Sequence, residues 1–178
     1  VMAEATNHYF KHLGVSDGLS QVCIPSIYQD ELGAVWLGTT EGLNRYNGKD
    51  VKVFQPSESN HGLTNNEINE LCGDKNGRMY IRSGNDLIKL DIYTEQFTCL
   101  RQKGVYGLFC KKDTLWVSCA DGIYYYTGQG TELTFFARVQ KGFVGRALYV
   151  DKETVWVVTR KYLVAISRED PLRQEILL

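Results

Sequence analysis

With 178 residues, 43% of them hydrophobic, the chain can bury a sizeable core. Twenty basic and 21 acidic residues give a net charge of −1 with no basic stripe, which argues against nucleic acid or an anionic membrane as partner. No apolar run reaches the roughly 18 residues of a membrane helix, and no charged-then-apolar leader opens the sequence.

In chain order, Val1–Thr6 are small and featureless, as expected of what remains after a signal peptide or a cloning cut. Phe10 precedes Gly18-Leu19-Ser20 by the same eight residues that separate Phe54 from Gly62-Leu63-Thr64. Residues 7–13 therefore read as the outer strand of a closing blade whose other strands lie elsewhere. Unit one, roughly 14–54, reads as four strands near Cys23–Tyr28, Ala34–Thr39, Leu43–Tyr46 and Val51–Phe54. Three further units follow at roughly 58–97, 104–136 and 142–178, the last with an outer strand near Gln174–Leu178.

One spacing unites the units. Trp36, Tyr80, Trp116 and Trp156 are each followed, seven residues later, by Leu43, Leu87, Ile123 and Leu163. The aromatics stand 44, 36 and 40 residues apart, and four short strands per ~40–45 residues is the mark of propeller blades. The second strands (Val35-Trp36-Leu37, Val155-Trp156-Val157-Val158) are apolar on both faces, as stacked blades demand. Turns such as Asp30-Glu31-Leu32-Gly33 and Asp74-Lys75-Asn76-Gly77 precede the aromatics, with Asp bonding back to the backbone and Gly supplying a positive φ. A small hydroxyl or thiol residue (Thr39, Ser83, Cys119, Thr159) stands three residues after each aromatic. The expected fold is all-β: a β-propeller segment of about four four-stranded antiparallel blades, part of a larger propeller. The orphan strand and an open arc's free edges argue for further blades, and those edges predict self-association of the isolated piece.

Few residues point to chemistry. Five cysteines (Cys23, Cys72, Cys99, Cys110, Cys119) without a C-x-x-C pair indicate neither a zinc site nor a paired framework, and read as buried packing thiols. His8, His12 and His61 lack metal-ligand spacing and read as surface. Glu31, Glu41, Asp86 and Asp121 lie in hairpins with no pair singled out, so no catalytic residue, metal or cofactor is expected. The better ligand candidates break the repeat. Arg82 stands where Gly38, Ser118 and Val158 occur, and Arg160 and Lys161 fill a turn that elsewhere carries Glu, Asn or Asp. Forked guanidinium groups suit acidic or hydroxyl-rich glycans; an inter-blade salt bridge is the plainer reading. Tyr125, within Tyr124-Tyr125-Tyr126, is a candidate stacking platform for a sugar ring, or a blade-packing residue.

The run His12-Leu13-Gly14-Val15-Ser16-Asp17-Gly18-Leu19-Ser20, with Ile27-Tyr28-Gln29-Asp30 and Gly33-Ala34-Val35-Trp36-Leu37-Gly38-Thr39-Thr40-Glu41-Gly42-Leu43-Asn44-Arg45-Tyr46, resembles the two-component regulator propeller repeat. Unit two repeats it as Gly62-Leu63-Thr64-Asn65-Asn66 through Asp74, Gly77 and Leu87, while units three and four keep the spacing but lose most glycines. The resemblance implies the N-terminal periplasmic sensor region of a hybrid two-component histidine kinase and response regulator from a glycan-degrading gut bacterium. That architecture has two seven-bladed propellers, a small β-sandwich and one membrane span ahead of the cytoplasmic kinase. It also implies an oligosaccharide ligand, control of polysaccharide-utilisation genes, a homodimer and intramolecular partners in the remaining blades and membrane-proximal module. No kinase motif lies in this chain, and no nucleic acid is expected as its partner. Two rival readings are a stand-alone propeller acting as a protein-interaction scaffold and a glycosidase-like propeller.

Overall fold

The computed structural model describes residues 11–57, 62–139 and 144–177. His8, Phe10 and His61, the first part of the strand expected at 7–13, and Leu178 lie outside the described residues. The described residues hold one 3-10 turn (Val15–Asp17), no α-helix, and sixteen strands in four four-stranded antiparallel sheets. The first sheet contains β1 (Ser26–Gln29), β2 (Val35–Thr39), β3 (Gly42–Tyr46) and β4 (Val51–Phe54). The second contains β5 (Ile68–Gly73), β6 (Arg78–Ser83), β7 (Asp86–Asp91) and β8 (Gln96–Arg101). The third contains β9 (Val105–Lys111), β10 (Thr114–Cys119), β11 (Gly122–Tyr126) and β12 (Thr134–Ala137). The fourth contains β13 (Val144–Val150), β14 (Thr154–Thr159), β15 (Leu163–Ser167) and β16 (Gln174–Leu177). Within each sheet the strands lie in chain order, which is the meander of a propeller blade.

The register explains the seven-residue spacing. In each blade the residue two after the aromatic faces the aliphatic across the β2–β3-type hairpin: Gly38↔Leu43, Arg82↔Leu87, Ser118↔Ile123, Val158↔Leu163. Side chains two apart share a face, so aromatic and aliphatic become diagonal neighbours on one side of the blade. That side packs on the next blade. Trp36, Leu43 and Phe54 meet Met79, Ile81, Ile88 and Leu90 of blade two. Tyr80 and Leu87 meet Leu115, Val117 and Tyr126 of blade three. Trp116 and Ile123 meet Val155, Val157, Val164 and Ile166 of blade four. Burying such side chains contributes about 2–3 kcal/mol each, so the repeat spells out the blade interfaces. Gly38 is needed for the first of them. A Cβ there would stand 2.8 Å from Ile68 Cγ2 and 2.9 Å from the Ile68 carbonyl oxygen.

The fourth blade has no such partner among the described residues. Trp156 and Leu163 are only half-buried, while Val158 is 43% and Tyr149 55% exposed on the same face. At the other end of the arc, the free face of blade one shows Ile27 at 66% and Val53 at 38% exposure. Part of that face is covered by the chain's own approach: Leu19 is buried, and Ser20 exchanges hydrogen bonds with the buried Asn44 (2.9 and 2.8 Å).

Candidate functional site: the two ends of the arc

In blades one and four the aromatic is held by a carboxylate clamp. The turn after β1 has Gly33 at φ +85°, and its Asp30 is buried. Asp30 Oδ1 accepts from the amides of Leu32 (3.0 Å) and Ala34 (2.9 Å), while Oδ2 accepts from the indole nitrogen of Trp36 (2.7 Å). Asp151 repeats the arrangement with Glu153, Thr154 and the Trp156 indole (2.8 Å). The Trp156 indole first, and then the two amides, hold the Asp151 carboxyl below its usual range. In blade two a tyrosine replaces the tryptophan, and the side chain of Arg78 takes the place of the indole as donor to Asp74. The tight turn of blade three, with Lys112 at φ +52°, places no carboxylate there, since Lys111 stands at the position of Asp30, Asp74 and Asp151.

A cleft lies beside Trp116. Trp116, Tyr125 and Phe136 pack together, with Trp116 5.6 Å from Tyr125 and 5.0 Å from Phe136 between ring centroids. The Arg168 guanidinium carbon lies 5.5 Å from the Trp116 ring centroid, and its Nη1 donates to the carbonyls of Asp151 (3.0 Å) and Lys152 (2.9 Å). Around these groups, Thr114, Thr127, Lys152 and Glu169 complete a cavity of about 670 Å³ between blades three and four. Aromatic edges and hydroxyls, with a guanidinium and a carboxylate facing them from blade four, suit a hydroxyl-rich ligand in a cavity of ligand size.

The opposite end, where linkers enter the blades, is laced by polar contacts. Ser20 and Thr39 share a hydroxyl hydrogen bond (2.9 Å), and Asn65 and Ser83 exchange two (3.0 and 2.8 Å). Arg82, 8% exposed, donates to Glu70 Oε2 (3.3 Å) and to the Gly84 carbonyl (3.1 Å). Burial raises the Glu70 carboxyl above its usual range, although a Leu108 amide and Arg82 pull it down. Arg101 donates to Asp121 (2.7 Å) and lies over Tyr124, whose hydroxyl donates to the other Asp121 oxygen (2.8 Å). Burial alone would raise the Asp121 carboxyl, yet the bonds from Tyr124 and Arg101 bring it below its ordinary value.

The four residues singled out in the sequence are thus not gathered into one site. Arg82 of blade two and Arg160 and Lys161 of blade four lie at the linker end, the last two exposed in the β14–β15 turn. Tyr125 lies toward the other end, in the cleft. Its neighbours Tyr124 and Tyr126 face blade two, and Tyr126, 1% exposed, donates to the Gly130 carbonyl (2.7 Å). Sequence reading missed Arg168 and Phe136. Of the thiols expected to be buried, Cys119 is; Cys72, Cys99 and Cys110 are half-buried, and Cys23 is exposed ahead of β1, which starts only after Pro25.

Residues 18–41 match the family model described as "Two component regulator propeller". A histidine kinase (P4) of Formosa agariphila is 40% identical over 53 residues, which is 30% of this chain and 4% of that protein. Among solved structures, a protein described as the extracellular domain of a hybrid two component system from B. thetaiotaomicron superposes with a TM-score of 0.76 at 21% identity, over 94% of this chain and 26% of its own. A second from the same organism, described as the extracellular domain of a one component system, gives 0.74 at 17% identity, over 95% and 27%. The chain therefore spans about a quarter of these structures and a small part of the kinase. It is a four-blade β-propeller arc whose residues 18–41 match the two-component regulator propeller model.

Proposed function

We propose that this chain is an arc of the extracellular, periplasmic sensor propeller of a hybrid two-component histidine kinase, and that it takes part in recognising glycan-derived ligands. The observation that carries the reading is the 40% identity to a histidine kinase over 53 residues, in a chain that shares the fold of the extracellular domain of a hybrid two component system. The two open apolar faces of the arc support it, because further blades of a larger, seven-bladed propeller would cover them. Binding and transmission, not turnover, is the proposed role. A ligand favours one arrangement of two sensor chains in a dimer, and a membrane-proximal module passes that preference to the kinase, which controls polysaccharide-utilisation genes.

Within the arc, the cleft at Tyr125 and the exposed pair Arg160 and Lys161 are the proposed ligand contacts, with Arg82 as the buried support of the linker end. Calorimetric titration of the whole extracellular region with a panel of oligosaccharides tests this. One ligand class should bind, and Tyr125→Ala or the double variant Arg160→Ala, Lys161→Ala should weaken it at least fivefold, the double variant without lowering thermal stability. Unchanged affinity in both variants removes these residues from the site, and binding by no oligosaccharide overturns the glycan reading.

A further inference from the structure

Cys72 and Cys110 stand where the repeat places other residues, and they meet across a blade interface. Opposite each blade aromatic, the first strand carries Tyr28, Cys72, Phe109 and Tyr149 in turn. Three are aromatic; only blade two has a thiol. One residue further along the first strands stand Gln29, Gly73, Cys110 and Val150. These two positions confront each other between consecutive blades. Tyr28 of blade one covers Gly73 of blade two, where a Cβ would lie 2.1 Å from the Tyr28 hydroxyl oxygen. Phe109 and Val150 share the core between blades three and four. At the middle interface both positions are cysteine, and the two sulfurs are 2.8 Å apart.

We infer that Cys72 and Cys110 form a disulfide that fastens blade two to blade three. A disulfide bond of about 2.05 Å requires the sulfurs to close by less than about 1 Å. The pair joins strands β5 and β9 of separate sheets, 38 residues apart in the chain, so the bond would close a long loop across the interface between the two blades. The chemistry is thiol–disulfide exchange with a small disulfide such as oxidised glutathione. One thiol of the pair, as thiolate, attacks the glutathione disulfide, forms a mixed disulfide and expels one glutathione thiolate. The second, on losing its proton to solvent, attacks the protein sulfur of that mixed disulfide and expels the other. Two thiols are oxidised, one disulfide is reduced to two glutathione thiols, and the two protein protons end on them. Burial pushes the Cys72 thiol well up, so exchange in the folded state is slow and the bond is best formed as the blades assemble.

Its occurrence in the cell rests on the extracellular placement proposed above, since such bonds persist in oxidising compartments. Two arms keep the questions apart. In the first, the protein is refolded in a glutathione redox buffer, denatured, alkylated and mapped by mass spectrometry. The expected result is a linked peptide pair holding Cys72 and Cys110, 2 Da lighter than the reduced pair, with Cys23, Cys99 and Cys119 alkylated. Cys72→Ser should leave Cys110 alkylated. The oxidised form should melt several degrees above the reduced one. Full alkylation of both cysteines, or linkage of either to Cys23, Cys99 or Cys119, overturns the pairing. In the second arm, thiols are trapped in living cells before lysis. Linked peptide there supports the bond in its native setting, whereas linkage in the first arm with full alkylation in the second overturns the extracellular placement.

Discussion

The sharpest test of how the repeat builds a blade is removal of the Asp30 carboxylate. Asp30→Ala deletes three hydrogen-bond acceptances in one step, from Leu32, Ala34 and Trp36 at 2.7–3.0 Å. The Leu32 amide lies in an exposed turn and can turn to water, but Ala34 is 5% and Trp36 0% exposed. Two donors would then be stranded without partners, at about 1–3 kcal/mol each, so a loss of about 3–5 kcal/mol is expected. With a urea m-value near 2 kcal/mol/M, that moves the unfolding midpoint down by about 2 M at constant m. Trp36→Phe keeps most of the packing and removes the indole N–H. In the Asp30→Ala background it should cost less than it does alone, giving a coupling above ~1 kcal/mol in the double-mutant cycle. Asp151→Ala removes the equivalent bonds at a half-exposed turn and should be distinctly milder. A loss below ~1 kcal/mol for Asp30→Ala, or one equal to that of Asp151→Ala, would refute the clamp as the element that fixes the blade aromatic.

Three further outcomes follow from the same geometry. Gly38→Ala drives a methyl into Ile68 backbone and side chain, and should destabilise by about 1–3 kcal/mol in equilibrium unfolding, whereas Gly48→Ala, in open space, should show only the milder strain of φ +96°. Burial, chiefly, pushes the Cys119 thiol up to about 12, so the folded state keeps a proton that the unfolded chain sheds near pH 9. Stability is then full below about pH 9 and falls as pH rises toward about 12, and Cys119→Ala should flatten part of that slope in pH-dependent urea titrations. At the acid side the carboxyls of Asp121 and Asp151 lie below their ordinary value of 3.8, so their contribution is present above that pH and drains as pH falls below it.

The blade repeat was legible because it is written in large side chains at fixed spacing. Trp36, Tyr80, Trp116 and Trp156 all sit on the second strand of a blade, and Leu43, Leu87, Ile123 and Leu163 open or lie near the start of the third. The Asp turns were legible as backbone caps, since Asp30 and Asp74 accept from amides two and four residues on. Their second task, gripping an indole or a guanidinium, was not, because it depends on a side chain folding back across the hairpin. Ligand candidates fared differently. Arg82 breaks the repeat for a packing reason, its charge being matched by Glu70 from the neighbouring strand. The cleft at Tyr125 was hidden because Arg168 and Phe136 come from different blades, and only the tertiary fold brings them to Trp116. The meeting of Cys72 with Cys110 was invisible for the same reason, each lying on a first strand of a separate blade.

If the chain is one arc of a larger propeller, as proposed, the free face of blade four is covered in the complete protein. Hydroxyl-radical footprinting, read by mass spectrometry, would compare oxidation of Tyr149 and Trp156 in the isolated 178 residues and in the complete natural protein. Both residues should be oxidised readily in the isolated arc and protected at least fivefold in the complete protein, where a fifth blade would cover them. Equal oxidation of Trp156 in the two would contradict the proposal, and would leave four blades standing as a propeller of their own.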